Sequence, residues 1–263
     1  MIVTLLTDFG TEDYYVGAMK GAILSVSPGA CIVDLTHQIP PHDVEAGAFV
    51  LSAASETFPP GTVHVAVVDP GVGSARRPII VAIHPHTFIG PDNGLFTFIY
   101  ERDPEARVFH LTNEDYFRSP LSATFHGRDV FAPVAGALAN GVAPEALGER
   151  IDDYIRLGFA APRRLSDGTL EAAVIHIDRF GNCVTNISRR DLPDDPSSGV
   201  VRLIVNGHHI NSIRDFFAAE GIAGDELFAV WGSANLLEIA VYRGSAAGVL
   251  NARRGQAVRV VSD

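Results

Sequence analysis

Between Val63 and Arg77 the chain reads Val-His-Val-Ala-Val-Val-Asp-Pro-Gly-Val-Gly-Ser-Ala-Arg-Arg, and this stretch restricts the fold more than any other. Val63 to Val68 is a β-branched, apolar run that reads as a buried central strand. Asp69 falls where that strand should end. Pro70, Gly71 and Gly73 then force a turn, because proline fixes φ and glycine admits positive φ. Arg76 and Arg77 follow, and a second apolar strand runs from Pro78 to Ile83. In an open α/β sheet, ligands bind beyond the carboxyl ends of the strands. An Asp at such an end, with an Arg across a Gly-rich turn, is well placed for chemistry. The same letters also describe a surface turn with a solvated Asp, and they do not choose between Arg76 and Arg77 as its partner.

The flanking sequence supplies the rest of such a sheet. Met1 to Leu6 is a strand that stops at Thr7-Asp8-Phe9-Gly10. A helix follows from about Tyr14 to Val26, ended by Ser27-Pro28-Gly29, and Cys31 to Leu35 is the next strand. Asp43 caps a helix running to about Thr57, which Phe58-Pro59-Pro60-Gly61 breaks. This alternation predicts a parallel or mixed sheet with helices on both faces. Thr87 to Gly94 ends in the turn Gly90-Pro91-Asp92-Asn93-Gly94; a short helix to about Tyr100 and a strand near Arg107 to Leu111 follow. Thr124-Phe125-His126-Gly127-Arg128-Asp129 precedes a helix from Val130 to Asn140, which Gly141 ends.

Composition shifts over Leu157 to Thr169, which reads as a linker. Beyond it the pattern is mostly β from about residue 168, with strands over Leu170–Ile177, Glu226–Trp231, Leu236–Val241 and Gln256–Val261. Val200–Val205 and His208–Ile213 flank Asn206-Gly207, a strong hairpin signal.

Several classes are disfavoured. A net charge of -11 with a pI near 5.3 speaks against a nucleic-acid or anionic-membrane partner and suits a cationic substrate. Cys31 and Cys183 are far apart, with no zinc or redox spacing, and a reduced, cytoplasmic setting is expected. The N-terminus turns polar too soon for a signal peptide, and no apolar run reaches the ~20 residues that span a bilayer. His84-Pro85-His86 and His208-His209 lack the helical spacing of a zinc enzyme, so no metal is expected. No Gly-x-Gly-x-x-Gly opens the first helix, no Walker-type Gly-Lys-Ser/Thr occurs, and Ser25, Ser52 and Ser74 are outside any Gly-x-Ser-x-Gly elbow.

Four polar clusters remain, each with two readings. Asp8 suits a ribose diol, whose two hydroxyls its oxygens can accept, or caps a turn. Asp69 with Arg76 is a reactive pair or a surface pair. His126, with Arg128 and Asp129, faces a site or is a structural residue; Asp129 also suits the first turn of a helix. Asp178-Arg179-Phe180-Gly181-Asn182 can bind an ammonium, stack on a purine and read its edge, or is a β-turn with Asp at its first position.

Taken in order, Thr7-Asp8-Phe9-Gly10, Asp69-Pro70-Gly71-Val72-Gly73 with Arg76, Gly90-Pro91-Asp92-Asn93-Gly94, Phe125-His126-Gly127-Arg128-Asp129 and Asp178-Arg179-Phe180-Gly181-Asn182 closely resemble one family. It is the S-adenosyl-L-methionine (SAM) hydrolases, or SAM hydroxide adenosyltransferases, relatives of the 5′-fluorinases and 5′-chlorinases. The resemblance implies an α/β fold: a sandwich-like N-terminal domain with a mainly parallel sheet over 1–160, and a smaller β-barrel-like domain over 168–263. It implies a homotrimer with active sites between subunits, one protomer's N-terminal clusters meeting a neighbour's C-terminal ones. It implies attack of water on C5′ of SAM, giving adenosine and L-methionine, with no metal or organic cofactor.

Residue by residue, Asp69, Arg76 and His126 match the family's hydrolytic triad and Asp8 its ribose-binding Asp. Asp178 matches the residue that holds the methionine ammonium, Phe180 and Asn182 the adenine-binding pair, and Ser233 the serine near the methionine carboxylate. Relatives often carry Gly where Asn235 stands. Fluorinases carry Tyr at the position of Asp69 and Tyr-Ser at His126-Gly127; Gly127 offers no hydroxyl for a halide, which favours hydrolysis. Arg76 stays protonated and would stabilise developing hydroxide. An Asp beside an Arg should have a lowered pKa, which makes Asp69 a better orienter of water than base, with His126 orienting or relaying. The rival readings are a 5′-halogenase-like activity, which halide in the assay would reveal, and a non-catalytic SAM or adenosine sensor, which would not need Asp69, Arg76 and His126.

Overall fold

Residues 1–157 and 158–263 form two compact units in the computed structural model of the protein. The structure describes residues 1–158, 161–192, 201–217 and 226–262. Val200 and part of the expected linker lie outside them.

The first unit is a seven-stranded sheet with helices on both faces. Its elements are β1 Ile2–Thr7, α1 Tyr15–Val26, β2 Cys31–Thr36, α2 Val44–Ser55, β3 Val63–Val67, β4 Pro78–Ile83, β5 His86–Pro91, α3 Thr97–Arg102, β6 Arg107–Leu111, α4 Ala132–Ala139 and β7 Gly148–Ile151. The strand order is β2-β1-β3-β5-β4-β6-β7. The sheet is parallel from β2 to β5 and antiparallel from β5 to β7. The change of direction has a local cause: Ile83 pairs with His86, leaving two residues between β4 and β5, and so short a connection permits only an antiparallel return. Asp43 caps α2 as expected, accepting from Ala46 N–H at 3.0 Å.

The side chains of β3 alternate between two different layers. Val63, Val65 and Val67 face an apolar core with Val3, Leu5, Met19, Ile23, Val134 and Leu138, between the sheet and helices α1 and α4. His64 points the other way and is fully buried. Its Nδ1 lies 2.8 Å from Thr4 Oγ1, and its ring stacks on Phe88 at 4.8 Å and meets His86 edge-on at 5.1 Å. Burial, followed by the nearby positive charges, holds the His64 imidazole down to about 3.

The second unit is a long sheet built from β8 Arg163–Arg164, β9 Leu170–Ile177, β10 Cys183–Ser188, β11 Val201–Val205, β12 His208–Ile210, β13 Ile213–Arg214, β14 Leu227–Trp231, β15 Leu236–Val241 and β16 Ala257–Ser262, with one short helix, α5 Ala246–Leu250. The order is β12-β11-β16-β9-β10-β15-β14-β13, with β8 beside β9. Its near ends approach each other, β12 against β14, so the sheet curls around an apolar interior that includes Val174, Ile187, Leu203, Ile239 and Val258. Asn206 and Gly207, both at positive φ, make the two-residue turn between β11 and β12 that the sequence signals. The expected strand His208–Ile213 is interrupted; its last residue starts β13, which runs parallel to β14.

Candidate active site

Asp69 stands just beyond β3, and Asp8 just beyond β1; the two strands are neighbours with Thr7 opposite Val67. Both carboxylates therefore emerge at the same end of the parallel half of the sheet. Asn93, in the turn after β5, fixes that end: its amide donates to Val68 O at 2.8 Å, one residue before Asp69.

The turn after Asp69 doubles back tightly. Ser74 Oγ donates to Gly71 O at 2.7 Å and accepts from Arg76 N–H at 3.2 Å, which folds Arg76 onto Asp69. Arg76 Nε donates to Asp69 Oδ1 at 3.1 Å, and Nη2 donates to Oδ2. The two side chains are 6% and 4% exposed, so the pair is sheltered from water. Gly73, at φ 78°, is required here: a Cβ would lie 2.3 Å from Ala123 O. That close approach brings the segment leading to His126 over the pair. His126 Nδ1 lies 3.2 Å from Arg76 Nη2, and the guanidinium sits 5.4 Å from the Phe131 ring centroid. Thus Asp69, Arg76 and His126, spread over 58 residues of sequence, form one cluster.

The chemistry of the cluster follows from who can donate. A guanidinium only donates, so Nδ1 of His126 is an acceptor and the neutral ring carries its proton on Nε2. Burial, and after it the Arg76 charge, keeps His126 below its ordinary value. Burial also pushes the Asp69 carboxyl above its ordinary value, even with Arg76 against it. This reverses the lowered pKa expected from the sequence, because desolvation outweighs the neighbouring charge. Arg76 Nη1 is buried without a hydrogen-bond partner among the described residues. The cluster thus holds a carboxylate readier to take a proton than an ordinary Asp, and an unengaged cationic N–H.

Two nearby arginines serve other ends. Arg77 turns away from Asp69 to buried Asp92, with Nη2 to Oδ2 at 2.7 Å, and to Asp153 at 2.8 Å. Asp92 also accepts Ile155 N–H at 2.8 Å, so this pair straps residues 153–155 to the sheet. Arg128 Nε donates at 2.6 Å to fully buried Asp129, which also accepts Ser122 N–H at 2.9 Å. These contacts shape the loop before His126. Asp8 Oδ2 accepts the backbone N–H of His42 at 2.8 Å, and His42 adopts a left-handed φ of 67° to supply it.

In the second unit, Asp178, Phe180, Asn182 and Ser233 line one cleft of about 710 Å³, together with Trp231, Glu238, Tyr242 and Arg243. Asp178 organises its turn. Oδ1 accepts the N–H groups of Phe180 at 2.9 Å and Asn182 at 2.8 Å, and Oδ2 accepts the Asn182 amide at 2.9 Å. Gly181 lets the turn pass Ser245 and holds φ 84°; a Cβ there would lie 2.1 Å from Ser245 Oγ. The turn leaves Phe180 77% exposed, an aromatic face available for stacking. Asn235 sits at φ 59°, the left-handed region where Asn is tolerated and Gly common. The loop bearing Ser233 thus keeps a backbone that a Gly would also adopt.

Sequence reasoning missed Trp231, Glu238 and Tyr242 in this cleft. Glu238 left a faint signal, as a charge inside the otherwise apolar Leu236–Val241. Burial, and then the charge of Asp178, raises its carboxyl above the ordinary range. Among the described residues no group of three or more His, Cys, Asp or Glu is arranged to hold a metal ion.

The SAM hydroxide adenosyltransferase N-terminal domain matches residues 3–148, and the C-terminal domain of the same family matches residues 172–259. An (R)-S-adenosyl-L-methionine hydrolase of Thermus thermophilus is 41% identical, over 98% of this chain and 99% of its own. One of Salinispora tropica is 36% identical, over 99% and 97%. A fluorinase of Actinoplanes is 30% identical over 73% of each chain. The crystal structure of an uncharacterized conserved protein from Thermotoga maritima superposes with a TM-score of 0.88 at 35% identity, covering 99% of this chain and 100% of that one. With both domain families matched in order and relatives similar end to end, the chain belongs to the SAM hydroxide adenosyltransferase family.

Proposed function

We propose that the protein hydrolyses SAM to adenosine and L-methionine, as the names of its hydrolase relatives describe for those proteins. The observation that carries this reading is the buried cluster of Asp69, Arg76 and His126, with its spare Arg76 Nη1 donor.

In the reaction, the oxygen of water forms a bond to C5′ while the C5′–S bond breaks. Its electron pair stays on sulfur, so the sulfonium becomes the neutral thioether of methionine. The leaving group needs no proton, and neither a metal nor an organic cofactor is required. The water has to lose a proton, and Asp69, raised by burial, is the acceptor. His126 donates from Nε2 and Arg76 from Nη1 to the water oxygen, orienting it and stabilising the hydroxide that develops. Once attack is complete, Asp69 returns the proton to solvent. A dry pocket favours this step because hydroxide and sulfonium combine to neutral products.

Asp8 is assigned to the ribose hydroxyls, Phe180 and Asn182 to adenine, Asp178 to the ammonium and Ser233 to the carboxylate of the methionine part. The burial of Asn182, the exposure of Phe180 and their common cleft support this assignment. Three hydrogen bonds within its turn leave Asp178 one acceptor position for an ammonium. The working form is a homotrimer in the cytoplasm, with the N-terminal cluster of one protomer completed by the C-terminal cleft of another. The cytoplasmic placement draws on two cysteines that are both free, one of them exposed. No helix among the described residues is long and apolar enough to cross a membrane.

Turnover of SAM in oxygen-18 water tests the chemistry. Adenosine labelled at its 5′ oxygen is expected; unlabelled adenosine, or 5′-halo-adenosine when chloride or fluoride is added, would replace this reading. Mixing Asp69→Ala with Asp178→Ala protein tests the assembly: shared sites restore part of the activity, and sites contained in one chain restore none.

A further inference from the structure

The turn that carries Asp8 is tied at both ends to one buried histidine. His37, in the loop between β2 and α2, is 5% exposed. Its Nδ1 lies 2.9 Å from Thr7 Oγ1, on one side of Asp8. Its carbonyl accepts Gly10 N–H at 2.8 Å, on the other side. Thr7 Oγ1 also accepts Phe9 N–H at 3.2 Å. A few residues further, the same loop supplies the His42 N–H that meets Asp8 Oδ2.

The imidazole is itself held from behind. Its Nε2 lies 3.1 Å from Asp34 Oδ1, off the line of a well-aligned hydrogen bond. Asp34 accepts Lys20 Nζ at 2.6 Å. Burial alone would raise the Asp34 carboxyl, but Lys20 and His37 more than offset this and keep it ionised below its usual range. The ring proton therefore belongs on Nε2, facing the carboxylate, and Nδ1 receives the Thr7 hydroxyl hydrogen. The Thr7 oxygen then keeps a lone pair for Phe9 N–H. Lys20, Asp34, His37 and Thr7 make one directional chain, of the orienting kind found behind many reactive side chains. Here it ends on a backbone turn, since Thr7 is fully buried and cannot meet a substrate.

We infer that His37 is a positioning residue for the reaction: through Thr7 and the Gly10 N–H it locks the turn that presents Asp8 to the substrate. The inference rests on reading Asp8 as the ribose ligand. It predicts a loss in substrate binding without a matching loss in the chemical step, because among the described residues Lys20, Asp34, His37 and Thr7 form no hydrogen bond or ion pair with Asp69, Arg76 or His126.

Two substitutions separate the ends of the ring. His37→Asn places an amide where Nδ1 stands and keeps the Thr7 contact; His37→Gln reaches Asp34 and gives up Thr7. In the full-length protein, His37→Gln is expected to raise KM for SAM about tenfold with kcat within about twofold, and Thr7→Val to do the same. His37→Asn should restore KM to within about threefold of the parent. Hydrogen exchange at Phe9 and Gly10 should quicken in His37→Gln and stay slow in His37→Asn. An unchanged KM in His37→Gln and Thr7→Val, an Asn variant no better than Gln, or kcat falling in step with KM would overturn the inference. Should His37→Gln fail to fold, Thr7→Val with the exchange measurement decides. Asp8→Ala guards the premise: an unchanged KM there removes the ribose assignment, whereas exchange at Phe9 and Gly10 still judges the lock itself.

Discussion

The carboxylates of Asp69 and Asp178 are employed in opposite ways. Asp69 faces a single guanidinium in a sheltered pair, and that guanidinium still has a buried N–H with no acceptor among the described residues. Asp178 is closed into its own turn by three hydrogen bonds from Phe180 and Asn182. One region keeps electrostatic capacity in reserve, and the other has used most of it to fix a shape. In the proposed function the contrast separates chemistry from recognition: a reacting group needs a partner it can respond to, whereas a recognition surface needs side chains that stay where the substrate expects them.

The sharpest way to break this division is Asp69→Asn. It should lower kcat about 10²–10⁴-fold with little change in KM, in steady-state assays of adenosine release. A large KM effect at this position would merge the two roles. Arg76→Ala should lose activity on the same scale, and also fold stability of about 3–5 kcal/mol in denaturant titration, because it strands a buried carboxylate. Next in size, Phe180→Ala should raise KM for SAM about tenfold or more, through lost stacking of roughly 1–3 kcal/mol, with kcat within a few-fold. Equal losses in kcat and KM would place Phe180 in the chemistry instead.

The pH dependence sharpens the same comparison. In the proposed mechanism Asp69 must be ionised, and its pKa is raised, so kcat/KM should fall as pH drops through a value above the ordinary Asp range. A kcat/KM profile that stays flat down to pH 4 would contradict it. The smallest effect is expected at Asn235, where the backbone is left-handed. Asn235→Gly should leave KM within about twofold, while Asn235→Ala should cost about 1–2 kcal/mol in thermal unfolding.

How much of this was legible in the letters depends on distance along the chain. Asp69 and Arg76 were readable as a pair because the strand end and the glycine turn lie between them. His126 stood out as a His just before a helix, but its union with Asp69 and Arg76 came only from the resemblance; what seats it is the approach of Gly73 to Ala123, which no local pattern encodes. Residues alone did not choose between Arg76 and Arg77; the resemblance pointed to Arg76, and it is Asp92 and Asp153 that draw Arg77 away. The direction of the Asp69 shift was misread because sequence displays a neighbouring charge but not the depth of burial. Strand β10, Cys183–Ser188, was not legible because its letters do not alternate: polar Thr185 is fully buried beside Cys183 and Ile187. Trp231 and Tyr242 reach the cleft from strand ends and Glu238 from within the central strand β15, and the letters alone do not say which face each presents.

His64, on the face of β3 away from the apolar core, bears on where the protein can operate. Its imidazole titrates near 6.5 in an unfolded chain and near 3 when folded, so the unfolded form binds the extra proton over that interval. Stability from this group is complete above pH 6.5 and drains away as the medium acidifies towards 3, by several kcal/mol in all. Acidification over that interval thus weakens the scaffold. A fully buried residue therefore adds an acid limit on folding to the one expected on turnover from Asp69.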